Sequence, residues 1–438
     1  VSSVVDLLQQ LSFVMTAPTF NSFVTVLTGW VFARRRTVTG MLVACDAVQG
    51  AGCGVKHHSA YHRVFAAARW SLDALGLAVF KLILPWLGDN VVFVAIDDTL
   101  ARKRGLKIFG VGMHHDPLLS TRKTALVNWG HSWVVLGVIV RLPFDTQRSF
   151  CLPILFRLYV NKTTAAKKRL HYRTRPELAV EMLHVLCEAY ENRRFHAVAD
   201  SAYGGKSVYL NLPDNCDLTS RLDLDARLHD AAPARRSGTN GRPRKRGPRL
   251  PTPRAMLHQR ARRLSLDIYG RRDSARVVDR VAYLYAMPDC AVRVVAVEPL
   301  RGGRKVQAFY STDATAAASD LLTWYALRWS IEEAFQNAKS HLGFEQPQGW
   351  SRRAVERTAP TAMLLHSLIV LWFAGTGHRN YRAPRRPWYR SKARASFADM
   401  LATLRQESIR EEVSACPLTG KGSRKVLNML IHAAKQAA

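Results

Sequence analysis

Three acidic side chains of this 438-residue chain stand where a reaction on a phosphodiester could use them. Asp97 follows the apolar run VVFVAI and Asp200 follows FHAVA, and each run predicts a buried strand that ends at the acid. Glu332 lies in a segment with helical periodicity. Nucleases and strand transferases need such a set, because two divalent cations about 4 Å apart take carboxylate oxygens as ligands. We therefore predict that these acids form a site for hard divalent cations.

The helix around Glu332 carries a polar stripe beside its apolar one. In YALRWSIEEAFQNAKSHLG, which begins at Tyr325, intervals of three, four and seven residues place Arg328, Glu332 and Lys339 on the face of Tyr325. The neighbouring Glu333 points elsewhere. One interpretation is a solvated face with i,i+4 ion pairs, such as Arg328 with Glu332. The other is that these cations and the phenol hold DNA phosphates beside the carboxylates.

The composition indicates a folded protein with a polyanionic partner. Lysine and arginine number 64 against 33 aspartate and glutamate, a formal charge of +31, while 48% of the residues are hydrophobic. The longest apolar runs are shorter than the roughly 20 residues that span a bilayer, which favours nucleic acid over a membrane. Seven scattered cysteines without a CxxC pair, and no signal peptide, predict a cytoplasmic protein, which a DNA partner would make nucleoid-associated.

Changes in composition and hydrophobic periodicity along the chain predict five segments. The helical N-terminal segment is interpreted equally well as a DNA-binding domain or as a helical cap on the main domain. The segments are a helical domain (1–89), a region of strands and helices (90–211), a β-rich basic insertion (212–315), a region with the Glu332 helix (316–376) and a basic helical tail (377–438).

Three motifs together resemble those of a known family. The spacing of Tyr325, Arg328, Glu332 and Lys339 is similar to the Tyr-Arg-Glu-Lys (YREK) signature of bacterial insertion-sequence DDE transposases. IDDT resembles the Asp-x-Thr strand end of these enzymes, and VADSAYG resembles the strand that bears their second aspartate. The motifs occur in the family order across roughly 235 residues.

This resemblance implies an α/β fold with an RNase H-like core, which is a mixed central sheet flanked by helices. The core would comprise 90–211 and 316–376, interrupted by the β-rich insertion. The resemblance also assigns Asp97, Asp200 and Glu332 as the catalytic, metal-binding triad, with Tyr325, Arg328 and Lys339 contacting DNA. Adjacent strand residues point to opposite faces, and the Asp-x-Thr spacing selects Asp97. The alternative ligand is Asp98, which otherwise would serve as a turn or cap residue.

The activity implied by the resemblance is cut-and-paste transposition. The protein would bind the terminal inverted repeats of its element, cleave the ends and join them to target DNA, with two Mg²⁺ ions per site and Mn²⁺ as a substitute. Its partners would be double-stranded DNA and a second copy in a synaptic homodimer. The alternatives are an RNase H-like endonuclease without strand transfer, and a non-catalytic DNA-binding protein derived from a transposase.

Two further basic stretches are candidate DNA contacts. GRPRKRGP in the insertion predicts a phosphate-binding loop that acts through counterion release, with side chains Arg242, Arg244, Lys245 and Arg246. Aromatic residues interleave with arginines near Trp388. They are expected either to stack on unpaired bases or to anchor the tail to the core.

Overall fold

The computed structural model describes residues 2–49, 56–88, 90–116, 119–121, 124–234, 242–259, 261–268, 271–300, 305–384, 392 and 394–415. Trp388, the tail beyond residue 415 and the start of the GRPRKRGP loop therefore lie outside the described residues.

Helices occur mainly in the first ninety residues and in the last third of the described chain. They are α1 (Ser2–Gln9), α2 (Ala17–Phe32), α3 (Val38–Gln49), α4 (His58–Ala66), α5 (Leu72–Ile83), α6 (Lys162–Lys167), α7 (Arg175–Ala189), α8 (Lys206–Tyr209), α9 (Pro253–Met256), α10 (Ala318–Leu327), α11 (Trp329–Leu342), α12 (Arg352–Trp372), α13 (His378–Asn380) and α14 (Phe397–Ala415).

The strands of the described residues form one eleven-stranded mixed sheet. They are β1 (Val92–Arg102), β2 (Gly112–His115), β3 (Val127–Leu142), β4 (Asp145–Tyr159), β5 (Phe195–Ala199), β6 (Cys216–Leu222), β7 (Leu228–His229), β8 (Arg262–Ile268), β9 (Arg271–Leu284), β10 (Met287–Pro299) and β11 (Gln307–Ser311). The order is β2-β3-β1-β5-β6-β11-β10-β9-β7, with β4 beside β3 and β8 beside β9. This sheet with its flanking helices confirms the predicted α/β class and is consistent with an RNase H-like core.

The insertion continues the central sheet. Strands β1, β5 and β6 are parallel neighbours, although β6 lies beyond the predicted boundary at residue 211. Antiparallel β11, β10 and β9 then extend the sheet from β6. Residues 212–315 therefore contribute strands β6 to β11 to this one sheet, while the division of the chain into domains stays a prediction.

Strand β1 is longer than the sequence predicts. We expected a strand that ends before Asp97, whereas β1 runs on to Arg102. The extension pairs with antiparallel β3, while the parallel neighbour β5 ends at Ala199, opposite Ile96. Asp97 is therefore not at a strand end. It lies where β1 loses its parallel neighbour.

The segment predicted as one helix from Tyr325 is two helices. Arg328 separates α10 from α11 and keeps helical backbone angles, but the Ile331 amide donates to the Arg328 carbonyl at 3.0 Å, a tighter turn than in an α-helix. The helix ends as predicted at Gly343, whose positive φ of 60° suits glycine. Its apolar stripe is buried, namely Ile331, Ala334, Phe335, Ala338 and Leu342.

The N-terminal helices pack on the core, as the helical-cap interpretation predicts. Residues of α2, α4 and α5 belong to the same hydrophobic cluster as the sheet. The Trp30 indole donates to the Leu342 carbonyl at 2.8 Å, and Arg36 donates to the His341 carbonyl at 2.7 Å. Both bonds satisfy carbonyls that the end of α11 leaves open. These helices therefore help to hold the helix that carries Glu332, and a role in DNA binding stays a prediction.

One helix of the described residues is long and apolar enough to cross a membrane. It spans Arg352–Asn380, and 94% of its most apolar window is buried inside the protein. The sequence predicts a core helix over Ala359–Ala374, and α12 begins about two turns earlier, at Arg352. Such burial is typical of the central helix of a globular core.

Candidate active site

Strand pairing brings Asp97 and Asp200 together. Because Ile96 is paired with Ala199 in parallel strands, the residues that follow lie side by side at the end of β5. The backbone turns immediately after Asp200, whose Oδ1 accepts a hydrogen bond from the Ala202 amide at 2.9 Å. Asp200 thus starts the turn Ser201–Tyr203, while Asp97 stays within its strand.

Arg328 joins the first aspartate to the glutamate helix. Its Nη1 lies 2.5 Å from Asp97 Oδ2, and its Nη2 lies 2.8 Å from Glu332 Oε1. The solvated-face interpretation predicted the Arg328–Glu332 pair, and that pair is present. The exposed fraction of the Arg328 side chain is however only 14%, and Asp97 is a second partner from another element. The polar stripe therefore faces the sheet and not open solvent.

Burial dominates the electrostatics of Asp97. Loss of solvent raises the pKa of this carboxyl from 3.8 to about 7; the Arg328 guanidinium opposes the rise and the Asp200 charge adds to it. Electrostatic coupling to Asp200 agrees with the strand register. Asp97 therefore lies in a half-enclosed cluster of acids whose repulsion a single guanidinium offsets in part.

The other aspartate of IDDT points to the opposite face of β1. Asp98 Oδ1 accepts a hydrogen bond from the Tyr203 hydroxyl at 2.9 Å, and its Oδ2 lies 3.4 Å from both Ser132 Oγ and Arg175 Nε. These partners come from the turn after Asp200, from β3 and from the start of α7. Asp98 is therefore held by different elements from Asp97, whose ion-pair partner is Arg328.

The remaining residues of the YREK spacing are divided between two places. The ring of Tyr325 lies 5.8 Å from the Arg328 guanidinium, and burial raises the pKa of its hydroxyl. Lys339 is two turns beyond Glu332, and burial lowers the pKa of its ammonium although Glu345 opposes the change. The structure thus brings Tyr325 and Arg328 to the acids, whereas Lys339 belongs to a neighbouring polar cluster with Glu345.

The basic loop of the insertion lies on the surface. Arg242, Arg244 and Lys245 are exposed. Arg246 is instead fixed to the protein, because its guanidinium stacks 3.8 Å from the Tyr285 ring centroid and donates twice to the Tyr285 carbonyl. Three of the four predicted phosphate contacts are therefore available to a ligand, and the fourth shapes the loop.

The histidines near the strands are structural where they are buried. Burial lowers the pKa of His114 and of His131 to about 4, so both are neutral at physiological pH. The His131 Nε2 pairs with the Phe109 carbonyl at 2.8 Å. Neutral, enclosed imidazoles do not contribute to phosphate binding.

The three acids have oxygen atoms of the kind that a divalent cation requires. Their side chains are not, however, arranged around one common point as metal ligands would be. Asp97, Asp200 and Glu332 supply the hard oxygen donors that Mg²⁺ and Mn²⁺ prefer. Within the described ranges, no three His, Cys, Asp or Glu side chains are arranged to hold a metal ion. The positive charge between two of the donors is provided by Arg328. The donor chemistry therefore fits, and Arg328 stands between two of the donors.

Comparison with known protein families shows the family of the chain. Residues 16–278, well over half of the chain, match the family described as DDE superfamily endonuclease. The chain belongs to the DDE superfamily endonucleases. No curated protein matches the chain. The range that matches the DDE endonucleases contains Asp97 and Asp200 and ends before Glu332. The role of Glu332 as the third acid therefore stays a prediction, which its ion pair with Arg328 supports.

Sequence reasoning about this DDE endonuclease missed the contacts on the reverse of β1. Nothing in the spacing shows that the Tyr203 hydroxyl reaches Asp98, because 105 residues separate them. One signal was available: Tyr203 follows Asp200 by three residues, within the VADSAYG motif. The repeated acid of IDDT was a second signal, but Asp98 was interpreted only as an alternative ligand or as a turn or cap residue. The turn or cap interpretation is wrong, because Asp98 lies within β1.

Proposed function

We propose that this DDE endonuclease is a DNA transposase of the insertion-sequence clan with the YREK signature, built on an RNase H-like core. It binds the terminal inverted repeats of its element, cleaves the ends and transfers them to target DNA. The observation that carries the proposal is the meeting of Asp97, Asp200, Arg328 and Glu332 on one face of the sheet. The family match and the net charge of +31 support it.

Asp97, Asp200 and Glu332 would hold the Mg²⁺ ions, for which Mn²⁺ would substitute. Bound there, the cations would polarise the phosphodiester and activate the attacking oxygen. The chain itself supplies charge balance and positioning. Arg328 neutralises the acids in the present arrangement. With cations on those acids, its guanidinium would be released as a pair of donors that suit a phosphate. Tyr325 beside it offers a hydroxyl, and Lys339 a cation two turns away, for the flanking backbone.

The substrate is proposed to be double-stranded DNA, both the transposon ends and the target. The exposed side chains of Arg242, Arg244 and Lys245 support an additional phosphate contact, and the exposed Arg34 and Arg35 in the turn between α2 and α3 support a second one. A homodimer in the synaptic complex would bring two ends together. We further propose that the protein works in the bacterial cytoplasm, on the nucleoid.

The test is an assay of the purified full-length chain with DNA that flanks its gene, Mg²⁺ and a target plasmid. The proposal expects cleavage at the element ends and joined products, and both should vanish with a chelator. Affinity for the ends should fall steeply with salt, as counterion release requires. Full activity in EDTA would contradict the proposal.

A second candidate is favoured by the family description, which specifies an endonuclease. A nuclease without strand transfer would leave cleaved ends and no joined product in the same assay. A non-catalytic DNA-binding protein would bind the ends equally well with and without the three acids and leave the DNA intact. Each outcome of one experiment therefore corresponds to one candidate.

A further inference from the structure

We infer that Asp98 and Tyr203 are positioning residues. Their hydrogen bond ties the turn that starts at Asp200 to the strand that carries Asp97, and so fixes the spacing of the two aspartates. The inference rests on the proposed function of these aspartates as metal ligands. Asp98 then has a role of its own on the reverse face of β1, and it is not a spare ligand.

Tyr203 has the features of a residue placed for its hydroxyl. Its side chain is fully buried, and the hydroxyl donates to Asp98 Oδ1 at 2.9 Å. A buried tyrosine hydroxyl requires a partner, and a carboxylate accepts a strong bond. Burial raises the pKa of this phenol well above its usual value, so it remains a donor throughout the physiological range.

Asp98 is itself held from two further directions. Arg175 Nε lies 3.4 Å from its Oδ2, and the same nitrogen donates to Ser132 Oγ at 3.1 Å. The Arg175 guanidinium also stacks 4.5 Å from the ring centroid of Tyr159. The acceptor for Tyr203 is therefore fixed in place by α7, β3 and β4.

The turn after Asp200 has two other anchors, both on the far side of β5. Ser220 Oγ on β6 donates to the Asp200 carbonyl at 2.8 Å, and the Tyr310 hydroxyl on β11 donates to the Gly204 carbonyl at 2.7 Å. A side chain at Gly204 would place its Cβ 2.3 Å from Ser220 Oγ, so the turn fits closely against β6. Of these three bonds, the bond from Tyr203 alone reaches β1.

The physical need for such a tie follows from charge. Asp97 and Asp200 lie side by side and repel each other when both are ionised. Arg328 donates its two hydrogen bonds to Asp97 and to Glu332, so they do not hold Asp200. The bond from the Tyr203 hydroxyl to Asp98 holds the turn near β1 from the opposite face, where the Arg175 guanidinium lies beside the Asp98 carboxylate. Ligand-orienting contacts of this kind typically contribute about 10- to 100-fold to metal affinity.

The experiment measures Mn²⁺ binding to the full-length protein by electron paramagnetic resonance, in the absence of DNA. Tyr203→Phe removes one oxygen and keeps the ring, and Asp98→Ala removes the acceptor. Each should weaken Mn²⁺ affinity about tenfold or more. The double variant should be no weaker than the worse single one, because both changes break one bond. Asp98→Asn keeps an Oδ1 acceptor and should stay within about threefold of wild type.

Tyr61→Phe is the matched control. Tyr61 is a buried tyrosine of α4 whose hydroxyl also has a hydrogen bond, from the Lys56 amide, and its loss should leave Mn²⁺ affinity unchanged. Wild-type affinity in Tyr203→Phe overturns the inference. Should that variant fail to fold, the aspartate pair carries the test: Asp98→Asn near wild type with a weak Asp98→Ala supports the inference, and equal loss in both overturns it.

Failure of this inference is distinguishable from failure of the proposed function. If wild type binds Mn²⁺ and Asp97→Ala does not, while Tyr203→Phe behaves as wild type, then only the positioning role is wrong. If wild type neither binds Mn²⁺ nor cleaves DNA, the proposed function is wrong and this inference falls with it.

Discussion

The two faces of β1 differ at adjacent aspartates. Asp97 lies among other acids, and the Arg328 guanidinium offsets part of their negative charge. Asp98, on the reverse, meets a hydroxyl from the Asp200 turn, a serine and an arginine. Asp98 is surrounded by donors alone, whereas Asp97 lies beside Asp200 and shares its guanidinium with Glu332. The acids of the first face therefore have more acceptor sites than this one guanidinium can fill. Under the proposed function, the first face holds the cations and the second face supports it.

The largest expected effect comes from removing an acid of the first face. Replacing Asp97, Asp200 or Glu332 by alanine should abolish DNA cleavage, because each change removes a proposed metal ligand, while binding of the element ends should survive. Cleavage assays and gel-shift titrations check the two halves. Glu333→Ala is the matched control, since Glu333 is on the same helix but pairs with Arg148 at 2.9 Å. Equal loss in this control would mean that the helix, not the site, is damaged.

A smaller effect is expected for the cation of that face. Arg328→Ala should slow single-turnover cleavage on pre-bound end DNA by about tenfold or more, because the scissile phosphate loses a positioned partner. Overall DNA affinity should change little, since many other basic residues contribute. Lys339→Ala should slow cleavage less, because Lys339 lies with Glu345, away from the acids.

Arg148→Ala is the control for Arg328→Ala, because it also removes an arginine paired to a glutamate of α11. Wild-type cleavage rates in Arg328→Ala would return the polar stripe to a structural role, that of two ion pairs that hold α11 to the sheet.

The first face should also respond to pH in the absence of metal. Asp97 has a pKa of about 7 in the folded protein against 3.8 for an exposed aspartate, so between these values the folded state binds more protons than the unfolded state. The free energy of unfolding should therefore fall as pH rises from about 4 to 7, by at most ~1.4 kcal/mol per unit, and level off above 7. Urea titrations in EDTA measure it.

Asp97→Asn should abolish this slope, because an amide does not ionise. The difference between wild type and Asp97→Asn should thus fall with rising pH up to about 7. A constant difference would show that Asp97 is already ionised in the folded protein at low pH, and that Arg328 outweighs burial.

The smallest effect concerns the surface loop far from either face. Replacing Arg242, Arg244 and Lys245 together by alanine should reduce the dependence of DNA affinity on salt by about 0.9 per charge and leave the cleavage rate of bound DNA unchanged. Arg246 is excluded because it supports the loop through Tyr285. An unchanged salt slope would remove this loop from the DNA-binding surface.

Local patterns predicted the elements of the fold, and non-local contacts decided the site. Apolar, β-branched runs predicted β5 and most of β1, and the 3.6-residue period predicted the buried stripe of α11. The extension of β1 past Asp97 depends on pairing with β3, which the alternation of a single segment does not encode. For the same reason the sequence placed Asp97 at a strand end.

The arrangement of basic side chains around the acids could not be predicted from the sequence either. Helical spacing placed Arg328 and Lys339 on one face, but side chains seven or more residues apart on a helix reach different neighbours when the helix crosses a sheet. Arg328 therefore meets Asp97, while Lys339 meets the segment after α11. The same limit hid the bond from Tyr203 to Asp98.

The most direct test of the account compares DNA cleavage by Asp97→Asn and Asp98→Asn, side by side, with wild type. Both changes remove one negative charge from the same strand at constant side-chain size, so they differ only in the face they alter. With Mg²⁺ and end DNA, the account predicts no cleavage by Asp97→Asn and a rate within about tenfold of wild type for Asp98→Asn. Substantial cleavage by Asp97→Asn together with an inactive Asp98→Asn would contradict it.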